Sequence, residues 1–179
     1  MAGVSIAQGV VATDPTQGGT FNNTTFTGTA NGIPRIIAQS GNAASITGTL
    51  VETTLATIVI PGGTLSANGQ LQVKAYWGFS GANGTRDQRI RINGTAVYDT
   101  GAVAATQNSM WSEWFMYNTN SLTTQTRINT QQPNAANSLA PSIGAFNTAN
   151  DMTITLTEQL GNVADTATLL AFTVTILNP

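Results

Sequence analysis

Between Gln70 and Phe79 the chain alternates without a break, with Leu71, Val73, Ala75, Trp77 and Phe79 on one side and Gln70, Gln72, Lys74, Tyr76 and Gly78 on the other. A period of two belongs to a strand with one buried face, and a helix cannot sort these residues that way. Further on, Arg89-Ile90-Arg91-Ile92 runs into Asn93-Gly94, the dipeptide best suited to the two left-handed positions of a type I′ hairpin turn. A two-residue turn aligns Ile92 with Thr95 and Ile90 with Val97 on the inner side. It aligns Arg91 with Ala96 and Arg89 with Tyr98 on the outer side. That register predicts an exposed cation–π contact of Arg89 with Tyr98, worth about 0.5–1 kcal/mol.

The rhythm recurs along the chain. Residues 46–60 are rich in β-branched side chains and stop at Pro61-Gly62-Gly63, and further strands are expected over 110–117, 122–129, 152–156 and 166–177. Thr fills 30 positions while Lys and Glu are scarce, so local propensity favours strands and turns. About eight short strands with no helical pattern between them leave no crossover helices for a parallel sheet. The expected fold is therefore all-β, an antiparallel β-sandwich of jelly-roll type over residues 45–179. Residues 130–150 are the longest stretch without a strand pattern, a length at which loops are usually functional.

Residues 1–44 read as an extended N-terminal arm. Its apolar residues, Val10, Val11, Phe21, Phe26, Ile36 and Ile37 among them, are scattered, and its only charges are Asp14 and Arg35. Disordered tails usually stay soluble through net charge. An uncharged arm of this kind is expected to lie on a surface, either its own sheet or a neighbour.

Charge and residue type narrow the chemistry. The chain has 6 basic and 8 acidic residues, no cysteine and no histidine. No basic surface is available for phosphates, which argues against a nucleic-acid partner. Disulfides, zinc sites built on Cys or His and mechanisms with a histidine base are excluded. No D-x-[DN]-x-[DN]-G calcium loop occurs, and no metal or cofactor is expected. No positive n-region and apolar h-region open the chain, and no run nears the roughly 20 apolar residues of a membrane span. The expectation is a soluble product of a cytoplasm, with no membrane partner.

Two groups of residues remain as candidates. A glycosidase needs two carboxylates across a cleft. The hairpin brings Asp87 and Asp99 to one end, but Arg86 and Arg89 beside them favour structural ion pairs. Residues 111–117 hold four aromatics. Alternation puts Trp111, Phe115 and Tyr117 with Glu113 on one face and Met110, Trp114 and Met116 on the other. One face is expected to be core; the other is expected to meet a second sheet or a partner subunit, or else to stack on sugar rings.

The run Glu52-Thr53-Thr54-Leu55-Ala56-Thr57-Ile58-Val59-Ile60-Pro61-Gly62-Gly63-Thr64-Leu65 continues into Asn68-Gly69-Gln70-Leu71-Gln72-Val73, and Arg89-Ile90-Arg91-Ile92-Asn93-Gly94-Thr95 follows. Over residues 46–100 this resembles the β-sandwich domains of tailed-bacteriophage virion proteins: capsid decoration proteins, head fibres and tail-fibre tips. The resemblance implies a jelly-roll-like sandwich, usually a homotrimer, attached to a larger particle, with no catalytic residues. It makes a non-enzymatic capsid decoration (cement) protein the first expectation, located in the virion and partnered by itself and by the major capsid or another virion protein. The interface would draw on Val10, Val11, Phe21, Phe26, Ile36, Ile37, Trp111, Phe115 and Tyr117. The alternative expectation is a fibre-tip protein that binds a receptor or host surface glycan. A third, weaker one is a polysaccharide hydrolase using Asp87, Asp99 and Glu113.

Overall fold

The computed structural model describes residues 33–82, 84–103, 107–132 and 142–178. Val10, Val11, Phe21 and Phe26 lie outside these residues. Eleven strands and no helix occur among the described residues. They are β1 (Arg35–Ser40), β2 (Ala44–Thr47), β3 (Thr53–Ile60), β4 (Gln70–Ser80), β5 (Arg86–Ile92), β6 (Thr95–Asp99), β7 (Ser109–Asn118), β8 (Gln125–Gln132), β9 (Ser142–Gly144), β10 (Met152–Leu160) and β11 (Thr166–Leu177).

All pairings are antiparallel, and four of them nest: β1 with β11, β3 with β10, β4 with β7, and β5 with β6. Nested pairs are one long hairpin rolled onto itself, which is the connectivity of a jelly roll. The β4–β11 and β5–β10 pairings then join the nested pairs into two sheets. The larger sheet runs β1-β11-β4-β7-β8-β9 with β2 also on β11, and the smaller runs β3-β10-β5-β6. Eight strands thus make the roll, while β2, β8 and β9 widen the larger sheet.

The alternation of β4 does what its sequence requires. Leu71, Val73, Ala75 and Trp77 are buried and join Trp114 and Met116 of β7 against Ile90, Ile92, Ile154 and Leu156 of the smaller sheet. Trp77 Nε1 donates to Ser112 Oγ at 3.0 Å, which satisfies the one polar atom of that ring. Two turns fix the register. Asn93 and Gly94 have φ of 49° and 80°, as a type I′ turn demands, and Asn93 Oδ1 also accepts from the Thr153 amide at 2.8 Å. At Gly62 a Cβ would stand 2.3 Å from the Ala149 carbonyl oxygen, so only glycine lets the two chains approach there.

The structure departs from the sequence reading in several places, strands within 130–132 and at Ser142–Gly144 among them. Within the arm expected over residues 1–44 to lie on its own sheet or a neighbour, Arg35–Ser40, where no strand is expected, forms a strand of the larger sheet, paired with β11 as is Ala44–Thr47. A register shift at Ile37 breaks their alternation and hides them from a period-two reading. The stretch 46–60 is two strands in different sheets, parted after Gly48, whose φ is 76°. The strand expected at 122–129 begins at Gln125, and that expected at 152–156 continues to Leu160. Finally, the β5–β6 register shifts between Ile90 and Arg91, which leaves Val97 unpaired and sets Ile90 opposite Tyr98. Val97 and Tyr98 are therefore both buried, and Tyr98 does not stand on the exposed face expected for its contact with Arg89. Arg89 stands opposite Asp99 instead.

Candidate functional site

The outer face of the larger sheet is built from the alternate residues of β4, β7 and β11 that the core does not use. Trp111, Glu113, Phe115 and Tyr117 share it, with Ser112, Trp114, Met116 and Asn118 buried beneath, so the two faces of β7 divide as the sequence predicts. Cross-strand register sets Tyr76 opposite Trp111, and Phe115 opposite Gln72 on one side and Ile128 on the other. The Phe115 and Tyr117 rings stack at a centroid distance of 6.3 Å. Across the sheet, Ile36 of β1 is opposite Thr175, which is itself opposite Gln72, so Ile36 stands in the row of Phe115 and Ile128. At the bulge of β11, Leu170 lies over Gly78, where a Cβ would come within 3.3 Å of its side chain.

Ile36, Tyr76 and Leu170 are 56%, 46% and 44% exposed, while Trp111, Phe115 and Tyr117 are half-buried. Lys74 and Glu113 face each other in the middle and pair at 3.1 Å, with Gln72 Nε2 also donating to Glu113. Aromatic and aliphatic surface surrounding a self-neutralised ion pair is a face suited to contact. Of the interface residues expected from sequence, Ile36, Trp111, Phe115 and Tyr117 come together here. Ile37 instead packs against the protein's own core.

The carboxylates gather on the smaller sheet. Arg89 donates to Asp99 Oδ2 at 2.9 Å and to Glu52 Oε2 at 3.1 Å, and its other terminal nitrogen pairs with Asp87. Arg91 grips both oxygens of Glu52, each at 2.7 Å. The Arg91 hydrogen bonds hold the Glu52 carboxyl down at about 2 against the opposing effect of burial. Burial, with the Asp99 carboxylate adjacent, pushes Asp87 up to about 6. Burial acts upward on Asp99 too, but hydrogen bonds with Arg89, Asp87 and the Gly101 amide outweigh it and leave its pKa lowered.

Two carboxyls with divided protonation are the raw material of a glycosidase. Here, however, both Asp87 and Asp99 are bound to one guanidinium, and the cluster ties β5 to β6 and to the residue before β3. The ion-pair expectation describes this geometry. Glu113, the third carboxylate considered for hydrolysis, stands on the other sheet beside Lys74.

Two acidic residues central to the smaller sheet were not singled out by sequence reasoning. Glu52 makes its contacts across the strand order, which spacing along the chain does not reveal. Glu158 had a signal: the alternation Met152, Ile154, Leu156 points it inward. It is fully buried, accepts from Gln88 Nε2 at 2.6 Å and from the Asp87 amide at 3.2 Å, and burial lifts its pKa to about 7. Nearby, buried Arg86 stacks over the Phe79 ring at 4.9 Å and reaches Asp165 at 3.7 Å, pinning the turn before β11. Among the described residues, no group of three or more His, Cys, Asp or Glu side chains could hold a metal ion. Among them, too, no helix is long and apolar enough to cross a membrane.

No family model matches the chain, and no curated protein matches it. Among solved structures it is similar to dimeric latent PorU from Porphyromonas gingivalis, at 14% identity and a TM-score of 0.38. That likeness covers 81% of this chain and 12% of the PorU chain, and it carries no argument about function.

Proposed function

We propose that the chain is a non-enzymatic structural protein of a phage virion, a capsid decoration protein that binds the assembled shell and its own copies through the N-terminal arm and the outer face of the larger sheet. One observation carries the reading: the exposed side chains Tyr76, Leu170 and Ile36 share that face with half-buried aromatics and a neutralised ion pair. The resemblance of residues 46–100 supplies the virion context. Stabilisation of the particle would come from buried area, as in other interfaces with an apolar centre. The reading includes a homotrimer, with the major capsid protein or another virion protein as the outer partner.

The direct test is co-sedimentation with shells that lack the protein. The full chain should saturate its sites, and a chain without residues 1–32 should lose binding at least tenfold. Deletion must stop there, because residues 35–40 are a strand of the sandwich. Full occupancy by the truncated chain would end the role of the arm.

A second reading, a fibre-tip protein that binds host surface glycan, has its own support. Tyr76 and Trp111 are directly opposite across β4 and β7, with Gln72, Lys74 and Glu113 nearby to hydrogen-bond hydroxyls. It predicts glycan-array binding that Trp111→Ala abolishes while the fold, followed by circular dichroism, stays intact.

A further inference from the structure

We infer that arm and face are each other's partner: residues 1–32 of one copy lie across the outer face of the larger sheet of an adjoining copy. This rests on the reading above only in treating the chain as an assembled subunit.

Three observations meet in it. The first is electrostatic. Residues 1–32 contain one charge, Asp14, and space Val10, Val11, Phe21 and Phe26 among Gly, Asn, Gln and Thr. The face opposite carries Lys74 and Glu113, already paired, with Thr168, Thr173 and Thr175 of β11 between its larger residues. A neutral segment can cover such a surface without stranding a charge, whereas a charged one would have to desolvate it.

The second is the direction in which the chain leaves. β1 lies on β11 with Arg35 opposite Ile176 and Ser40 opposite Phe172. Traced back from Arg35, the chain departs at the end of the sheet where Leu177, Gln70 and Tyr117 stand in one row. Pro34 restricts Ile33 to extended backbone, and Ile33 is 61% exposed. Through Ile33 the backbone therefore runs on from β1 towards that end of the sheet, beside the outer face.

The third is reach. An extended segment of 32 residues can span up to ~100 Å. Five strands at ~4.8 Å spacing make a face only ~20 Å across. Length does not limit an exchange between neighbours, and nearby copies would present the face at high effective concentration.

The absence of cysteine gives a clean test with the full chain and no shell present. Phe21→Cys in the arm is mixed with a second chain carrying Thr175→Cys on the proposed face, or Thr155→Cys on the outer side of the smaller sheet. Val11→Cys and Phe26→Cys repeat the measurement, so that register along the arm does not decide the result. Under mild oxidation, mixed-disulfide dimers with Thr175→Cys should form in at least tenfold higher yield than with Thr155→Cys for one or more arm positions. Equal yields at both faces for all three positions overturn the inference. A chain carrying both Phe26→Cys and Thr175→Cys then separates neighbours from self. A tenfold excess of unsubstituted chain should reduce its cross-linking about tenfold, and an undiminished intramolecular disulfide overturns the exchange. Shell binding is scored separately by co-sedimentation, so loss of the decoration role and loss of arm exchange give different results.

Discussion

The outer faces of the two sheets obey the same alternation and end with opposite characters. On the larger sheet the outward residues are Tyr76, Trp111, Phe115, Tyr117 and Leu170, with one ion pair among them. On the smaller sheet they include Asp87, Arg89, Arg91, Thr157 and Gln159, bound to one another and to Glu52 and Asp99. The polar outward residues of the smaller sheet mostly find partners within the molecule, though Val59 is left 54% exposed there, and the larger sheet presents the aromatic surface. A strand pattern fixes which residues point outward, but only the cross-strand partners determine whether an outward face is finished.

That contrast can be broken most severely at Arg89. Arg89→Ala leaves Asp87, Asp99 and Glu52 crowded without their shared cation, and the expected loss is about 3 kcal/mol, the scale for removing one partner of a partly buried charge network. Urea unfolding would check it; a loss under about 1 kcal/mol would mean that the smaller sheet is not finished by these contacts.

The next largest effect is in pH. Glu158 has its pKa raised by burial from 4.5 to about 7, so the folded protein binds a proton that the unfolded chain has already released between those values. Its contribution is fully present below the lower value and is lost as pH rises through about 7, a change of roughly 3 kcal/mol. Asp87, raised to about 6, adds in the same direction. Glu52, lowered to about 2, acts oppositely: its contribution is present above 4.5 and fades as pH falls towards 2. Stability should therefore peak near about pH 4 and decline towards both extremes. Glu158→Gln should flatten the decline of the urea midpoint between about pH 6 and 7, where Asp87 no longer contributes, and a variant that keeps the full slope there would refute this origin.

The smallest effect on stability, and the sharpest on the comparison, is expected at Tyr76. Tyr76→Ser removes exposed surface, so unfolding should change by less than about 1 kcal/mol. Self-association followed by sedimentation should nevertheless weaken by about tenfold, or 1.4 kcal/mol. Equal, small effects on both quantities would make the two outer faces equivalent after all.

Much of the fold is legible before any coordinates. The alternation of residues 70–79, the Asn93-Gly94 turn and the strand at 166–177 each combine propensity, period and punctuation in one direction, and each is present as read. The failures have a common physical form. One extra residue at Ile37 and one at Val97 shift the side-chain parity of everything beyond them, which hid β1 and sent Tyr98 inward. Of the candidate site, the split of β7 into a core face and a free face could be read, because it depends on parity alone. The company of Ile36 and Tyr76 could not, since they meet Phe115 and Trp111 only through the order of strands in the sheet.

The nesting of the roll also constrains how the chain acquires its shape. β11, made after all the other strands described, is the hydrogen-bonded neighbour of β1, β2 and β4 at once. Until residues 166–177 are available, β1 and β2 have no sheet to join and the core side of β4 is uncovered along one edge. Contacts between segments so far apart make for slow, late-committing folding. A chain broken off shortly before Thr166 would therefore leave β1 and β2 without a ladder and one edge of β4 open, the surfaces most prone to aggregate.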